Sequence, residues 1–157
     1  MKAPVLRTLV FLLIAYGAFS SFFDAGLILS YRLHFTKIAE FFGAFTPGDD
    51  YRRFIPAFDA TPSWAIGLSL VAGLLYLASV WPLLRGGREL FAIFTAAVAV
   101  DLIHYAVLRS SPAYAELMGS GHIHMEYVLY GFLLVGCGIA WWVARPPQNS
   151  AYAALQS

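Results

Sequence analysis

Polar residues are sparse along this chain, and their spacing divides it into four long apolar runs. The first is VLRTLVFLLIAYGAFSSFFDAGLILS, about residues 5–30, with Arg7 near its start and Asp24 near its end. The second, WAIGLSLVAGLLYLASVWPLL, covers about 64–84 and carries no charge. The third, LFAIFTAAVAVDLIHYAVL, covers about 90–108, and the fourth, IHMEYVLYGFLLVGCGIAWWVA, about 123–144. Each is close to the roughly 20 apolar residues that a helix needs to cross a hydrocarbon core about 30 Å thick. A lipid-exposed strand would leave backbone donors and acceptors unpaired, whereas a helix satisfies its own. The pattern therefore predicts an all-α integral membrane protein, a transmembrane four-helix bundle occupying residues 1–157 as a single membrane domain.

The connections add detail. Lys2 and Arg7 ahead of an apolar stretch imitate a secretory signal, but the run outlasts a signal core of about 7 to 15 residues and no small-residue cleavage site ends it. It is read as a membrane helix. Between the first two helices, FTKIAEFFGAF places Phe35, Ile38, Ala39 and Phe42 at helical spacing, which predicts a short amphipathic helix lying at the interface. TPGDD breaks it with a Pro-Gly turn. ATPSWA then opens the second membrane helix, with Trp64 as an anchor at headgroup level. The tail RPPQNSAYAALQS reads as a frayed end.

Composition agrees with the pattern. The chain is 60% hydrophobic and 12% charged, against about 25% charged in a soluble domain. Neither a phosphate loop, a nucleophile elbow nor a basic nucleic-acid patch is present in the sequence, so the expected partner is membrane lipid or a hydrophobic ligand rather than nucleic acid. The lone Cys137, in VGCGIA, reads as a small packing residue beside Gly136 and Gly138, with GAFSS or GLSLVAG as its helix partner. A partner chain, in a homo-oligomer or with another membrane subunit, is the other reading of that stripe. Lys and Arg tie at five against five between the two sides, Lys2, Arg7, Arg85, Arg88 and Arg145 against Arg32, Lys37, Arg52, Arg53 and Arg109. The tight RGGRE joint gives a preference for cytoplasmic termini in a multi-pass topology.

The ionisable groups inside the runs carry the chemical information. A charge at mid-bilayer costs about 2.5 to 3.5 kcal/mol on insertion scales, so such a residue is a functional candidate by default. Counted at 1.5 Å per residue, Asp24 lies about 9 Å below its loop-side helix end, Asp101 about 10 Å, and His104 and Glu126 about 6 Å. His122 and His124 stand at the mouth of the fourth helix. Asp101 and His104, in AVAVDLIHYAVL, share a face at i, i+3, and His122 and Glu126 do so at i, i+4. Tyr105, Tyr127 and Tyr130 bring hydroxyls to a similar depth. The acids and imidazoles thus converge on the third of the bundle that faces the long loop.

Four chemistries fit such a cluster. Asp101 and Glu126 can act as acid and base, oriented by His104, with Asp24 as counter-charge. The same spacings suit a zinc or iron site. His104 with His122 or His124 can ligate b-type haem. The pairs can also be purely structural glue between helices, as in a non-catalytic subunit of a larger membrane complex. The expectation adopted is a hydrophobic small molecule bound without metal or haem, with Asp101, Glu126 and His104 catalytic and Asp24, Trp64, Tyr105, His122, Tyr127 and Tyr130 lining the site.

YGAFSSFFDAGLIL, TPSWA and VDLIHYAVL together resemble the four-helix EXPERA family, which includes the emopamil-binding sterol isomerase and the sigma-2 receptor. That resemblance matches Asp24 to the family's helix 1 acid, Trp64 to its Pro-x-Trp step and Asp101 to its helix 3 acid. It implies a sterol, isoprenoid or other lipid as ligand and proton-transfer isomerisation as the activity. The chain departs from the family in lacking a helix 2 acid and in having Ser20 where the family has histidine.

Overall fold

The protein was analysed as a computed structural model, which describes residues 2–35, 37, 40, 41 and 55–145, with side chains of 2–3 and 115–126 outside the description. All its regular structure among those residues is helical, and four of the helices are long and apolar enough to cross a membrane. We label the helices α1 (Lys2–Arg32), α2 (Ile55–Ala60), α3 (Ser63–Arg85), α4 (Glu89–Arg109) and α5 (Pro112–Ala144). The four candidate spans have mean hydropathies between 1.8 and 2.0. Large apolar side chains such as Leu12, Phe19, Leu74, Trp81, Ile103 and Val135 point outward along them. In water this outer surface would be an aggregation liability, whereas lipid solvates it.

Local chemistry sets the ends of these helices. α1 stops where His34 takes a left-handed φ of 56° and the Phe35 N–H returns to the Ser30 carbonyl at 2.9 Å. α3 begins after Pro62, whose extended backbone cannot continue a helix. It ends at Gly86, which adopts φ 71° at no steric cost, and the Gly87 N–H closes on Pro82 O at 2.8 Å. The first three membrane helices exceed their expected bounds by only one to three residues at each end.

The fourth differs. Its helix starts at Pro112 rather than near 123, so only Ser110 and Ser111 separate it from α4. Pro112 occupies the first helical turn, where a missing N–H costs nothing. Apolar patterning missed this portion because AELMGSGH is not a continuous hydrophobic run. α2 is likewise an addition, a short helix placing Ala57 and Phe58 against the bundle. Half of the amphipathic helix expected at 35–42, Ile38, Ala39 and Phe42 included, lies outside the described residues; Lys37, Glu40 and Phe41 are helical.

The membrane helices pack as a ring in the order α1, α3, α4, α5, with α5 closing back on α1. α1 and α3 approach through small residues, and each offers a glycine to an aromatic ring of the other. A Cβ on Gly17 would stand 2.5 Å from the Tyr76 ring, and one on Gly73 would stand 2.9 Å from Phe22. Ser69 Oγ adds a hydrogen bond to the Ser21 carbonyl at 2.8 Å. GAFSS and GLSLVAG thus pack against each other, while Gly136 receives Leu13 and Phe94 and Gly138 faces outward with nothing within 4 Å. Among its described residues, α5 buries a stripe of Leu133, Gly136, Ala140 and Ala144, flanked by Tyr130, Cys137, Ile139 and Val143 packed on the core.

At the loop end, Arg32 ties three elements together. Its guanidinium donates to the carbonyls of Phe58, at 2.7 Å, and Thr61, and to Ser63 Oγ at 3.2 Å. These bonds add a charged donor at the end of α2, where the Phe58 carbonyl also accepts from the Thr61 N–H at 3.3 Å. Phe58 sits 5.7 Å from the Tyr31 ring in a second apolar cluster with Ala25, Leu27, Ile28 and Ile66.

The ring seats give a direct test. Gly17→Ala forces α1 and α3 apart or displaces Tyr76, and is expected to cost about 1 to 3 kcal/mol as overpacking. Gly138→Ala, which meets no neighbour, leaves stability unchanged or improves it. Thermal unfolding of both variants in detergent checks the difference.

Candidate functional site

One face of α4 carries the site. Leu90, Phe94, Ala97, Val98, Asp101, His104 and Leu108 form its buried stripe, and the three- and four-residue steps along it are those of a single helical face. Asp101 is 6% exposed and His104 1%, so both point into the bundle and away from lipid. The i, i+3 spacing read from the sequence is therefore a shared interior face.

The partner of Asp101 is a residue that patterning did not single out. Tyr76, wholly buried on α3, donates its hydroxyl to Asp101 Oδ2 at 3.1 Å. Its ring rests in the space left by Gly17 and meets Phe94 edge-on at 5.9 Å between centroids. Three helices thereby fix one hydroxyl. A tyrosine in GLLYLAS looks like apolar filler on its own helix, and the available signal was its position at mid-run, where a hydroxyl needs a partner.

Tyr130 brings α5 into the same region. It couples electrostatically to Asp101 and Tyr76, and to Asp24 of α1. Asp24 is half-buried and engaged with neighbouring groups. Tyr105 stacks on Tyr130 at 4.7 Å, and the Arg109 guanidinium lies 5.9 Å from the Tyr105 and Tyr127 rings. His104 completes the face, and its Nε2 is buried without a hydrogen-bond partner among the described residues.

Other candidates are placed differently. Trp64 and Tyr127 are each 58% exposed on the outside of the bundle. Trp64 stands in the first turn of α3, where an interfacial anchor belongs. The side chains of His122, His124 and Glu126 lie outside the described residues. Among the described residues no group of three His, Cys, Asp or Glu side chains is arranged to hold a metal ion.

Chemically, this face offers a carboxylate already holding one donor and an imidazole whose Nε2 has no partner among the described residues. Those groups can bind a hydroxyl or carbonyl and pass a proton across it.

Tyr76→Phe keeps the ring in its seat and removes the donor to Asp101. It is expected to destabilise the bundle by about 0.6 kcal/mol, rising towards about 1.7 at most, as for interhelical hydrogen bonds in membranes. A double-mutant cycle with Asp101→Ala measures this as a coupling energy, and a coupling of zero would mean that the bond carries no stability. Comparison with known protein families, characterised proteins and solved structures finds no match for this chain.

Proposed function

We propose that this polytopic membrane protein binds a lipid-soluble small molecule, with the molecule's polar group held at the level of Asp24, Asp101 and Tyr130. The observation that carries the reading is the burial of Asp101 and His104 on one interior face, with the imidazole Nε2 lacking a partner among the described residues. Keeping such groups in a bilayer is costly, and function is the usual reason for retaining them. The resemblance to the EXPERA family adds a sterol or isoprenoid as ligand class and proton-transfer isomerisation as the reaction. In that reaction Asp101 or Glu126 would give and recover the proton and His104 would orient it, with Asp24 opposing the developing positive charge.

A competing reading, an accessory membrane subunit, draws on the Tyr76–Asp101 bond, which is an interhelical link complete in itself. The two readings part on a single experiment. Purified protein in detergent is irradiated with a photoreactive diazirine sterol, and labelling is compared for wild type, Asp101→Asn, His104→Ala and the lipid-facing control Leu74→Ala. Loss of a hydrogen bond from a charged group predicts labelling weakened about tenfold in the first two variants and unchanged in the third. Asp101→Asn still accepts from Tyr76, so its fold is retained. Equal labelling in all four sinks the binding reading and leaves the subunit. Isomerisation is read separately, as solvent deuterium incorporated into the recovered sterol.

A further inference from the structure

The end of the bundle formed by the start of α1, the α3–α4 turn and the end of α5 is basic. Lys2, Arg7, Arg85, Arg88 and Arg145 belong to it, against Glu89 as its one acid among the described residues. Glu89 leans over its own turn, with Oε2 2.5 Å from where a Cβ on Gly87 would stand. Two of the arginines are stacked on rings, Arg85 at 3.7 Å over Trp81 and Arg145 at 3.4 Å over Trp141. These cation–π pairs hold both guanidiniums at headgroup level.

Arg7 is placed otherwise. Its Nη2 lies at the α3–α4 turn, 3.1 Å from the position of a Cβ on Gly86. Below it, a hollow of about 240 Å³ opens between α1 and α3, lined by Arg7, Thr8, Phe11, Leu83 and Leu84. Thr8 has turned its hydroxyl back to the Pro4 carbonyl at 3.0 Å, so Arg7 supplies the charge and the donor fork. Phe11 lies one turn deeper than Arg7, and Leu83 and Leu84 precede Arg85 on the bilayer side. The hollow is thus cationic at headgroup depth and apolar below, the order of groups in a phospholipid.

We propose that this hollow holds one anionic phospholipid, its phosphate on the Arg7 guanidinium and part of an acyl chain along Phe11, Leu83 and Leu84. Phosphate accepts two parallel N–H bonds from a guanidinium. A choline or ethanolamine headgroup would bring its own cation among the surrounding arginines, so the site favours a lipid with net negative charge.

The test uses the full chain in detergent micelles, titrated with phosphatidylglycerol or phosphatidylcholine and read by native mass spectrometry. One retained phosphatidylglycerol is expected. Arg7→Gln should lower its occupancy about fivefold, the worth of one basic residue beside an anionic headgroup, while Arg85→Gln leaves it unchanged. Thr8→Trp, which fills the hollow without altering charge, should also expel the lipid. Arg7 and Thr8 are both exposed, and unchanged melting of the variants verifies that the fold is intact. Equal retention of phosphatidylcholine would overturn the proposal, as would equal losses in Arg7→Gln and Arg85→Gln, which indicate diffuse attraction. Displacement of the lipid by inorganic phosphate would also overturn it, by showing a soluble anion to be the occupant.

Discussion

The bundle depends on the space that Gly17 leaves for Tyr76. Lipid gives helices no hydrophobic reason to associate, so close packing and hydrogen bonds must hold them. The Tyr76 ring fills the gap on α1, crosses to Phe94 on α4 and carries its hydroxyl to Asp101. Without the gap, α1 and α3 would stand further apart, and the Ser69–Ser21 bond would lose its 2.8 Å reach. The carboxylate would then also lose the donor that makes its burial tolerable.

That arrangement gives the polar cluster its physical meaning. An isolated acid in an apolar helix is a cost; an acid met by a buried tyrosine hydroxyl from another helix is an organised environment. His104 extends it by one helical turn toward the loop end. The Tyr76–Asp101 pair and the His104 Nε2, which has no partner among the described residues, therefore lie on one interior face of α4.

Much of this was legible from residue patterning, for a definable reason. Membrane helices announce themselves by what they exclude, so Arg32, Arg85, Glu89 and Arg109 mark ends that the apolar runs already implied. Depth counting also brought Asp24 and Asp101 to one level, because rise per residue is nearly constant. The start of α5 was hidden by Glu116, Gly119 and Gly121, which interrupt hydropathy without interrupting the helix. Tyr76 was hidden more deeply. Its importance lies in a glycine on another helix, a relation between positions 59 residues apart that no single-helix pattern contains. Trp64 and Tyr127 show the converse, since depth says nothing about which side of a helix a ring will take.

The order of helices along the chain bears on how the tyrosine seat can assemble. Gly17, Tyr76, Phe94 and Asp101 all precede α5, and chains reach the membrane N-terminus first. The three helices that satisfy the carboxylate are thus synthesised before the fourth is complete. Asp101 and its donor Tyr76 therefore both lie on helices made before α5, which packs against the bundle along Leu133, Gly136, Ala140 and Ala144. A substitution at Gly17 would strike that early assembly, so its cost falls on insertion as well as on the finished fold.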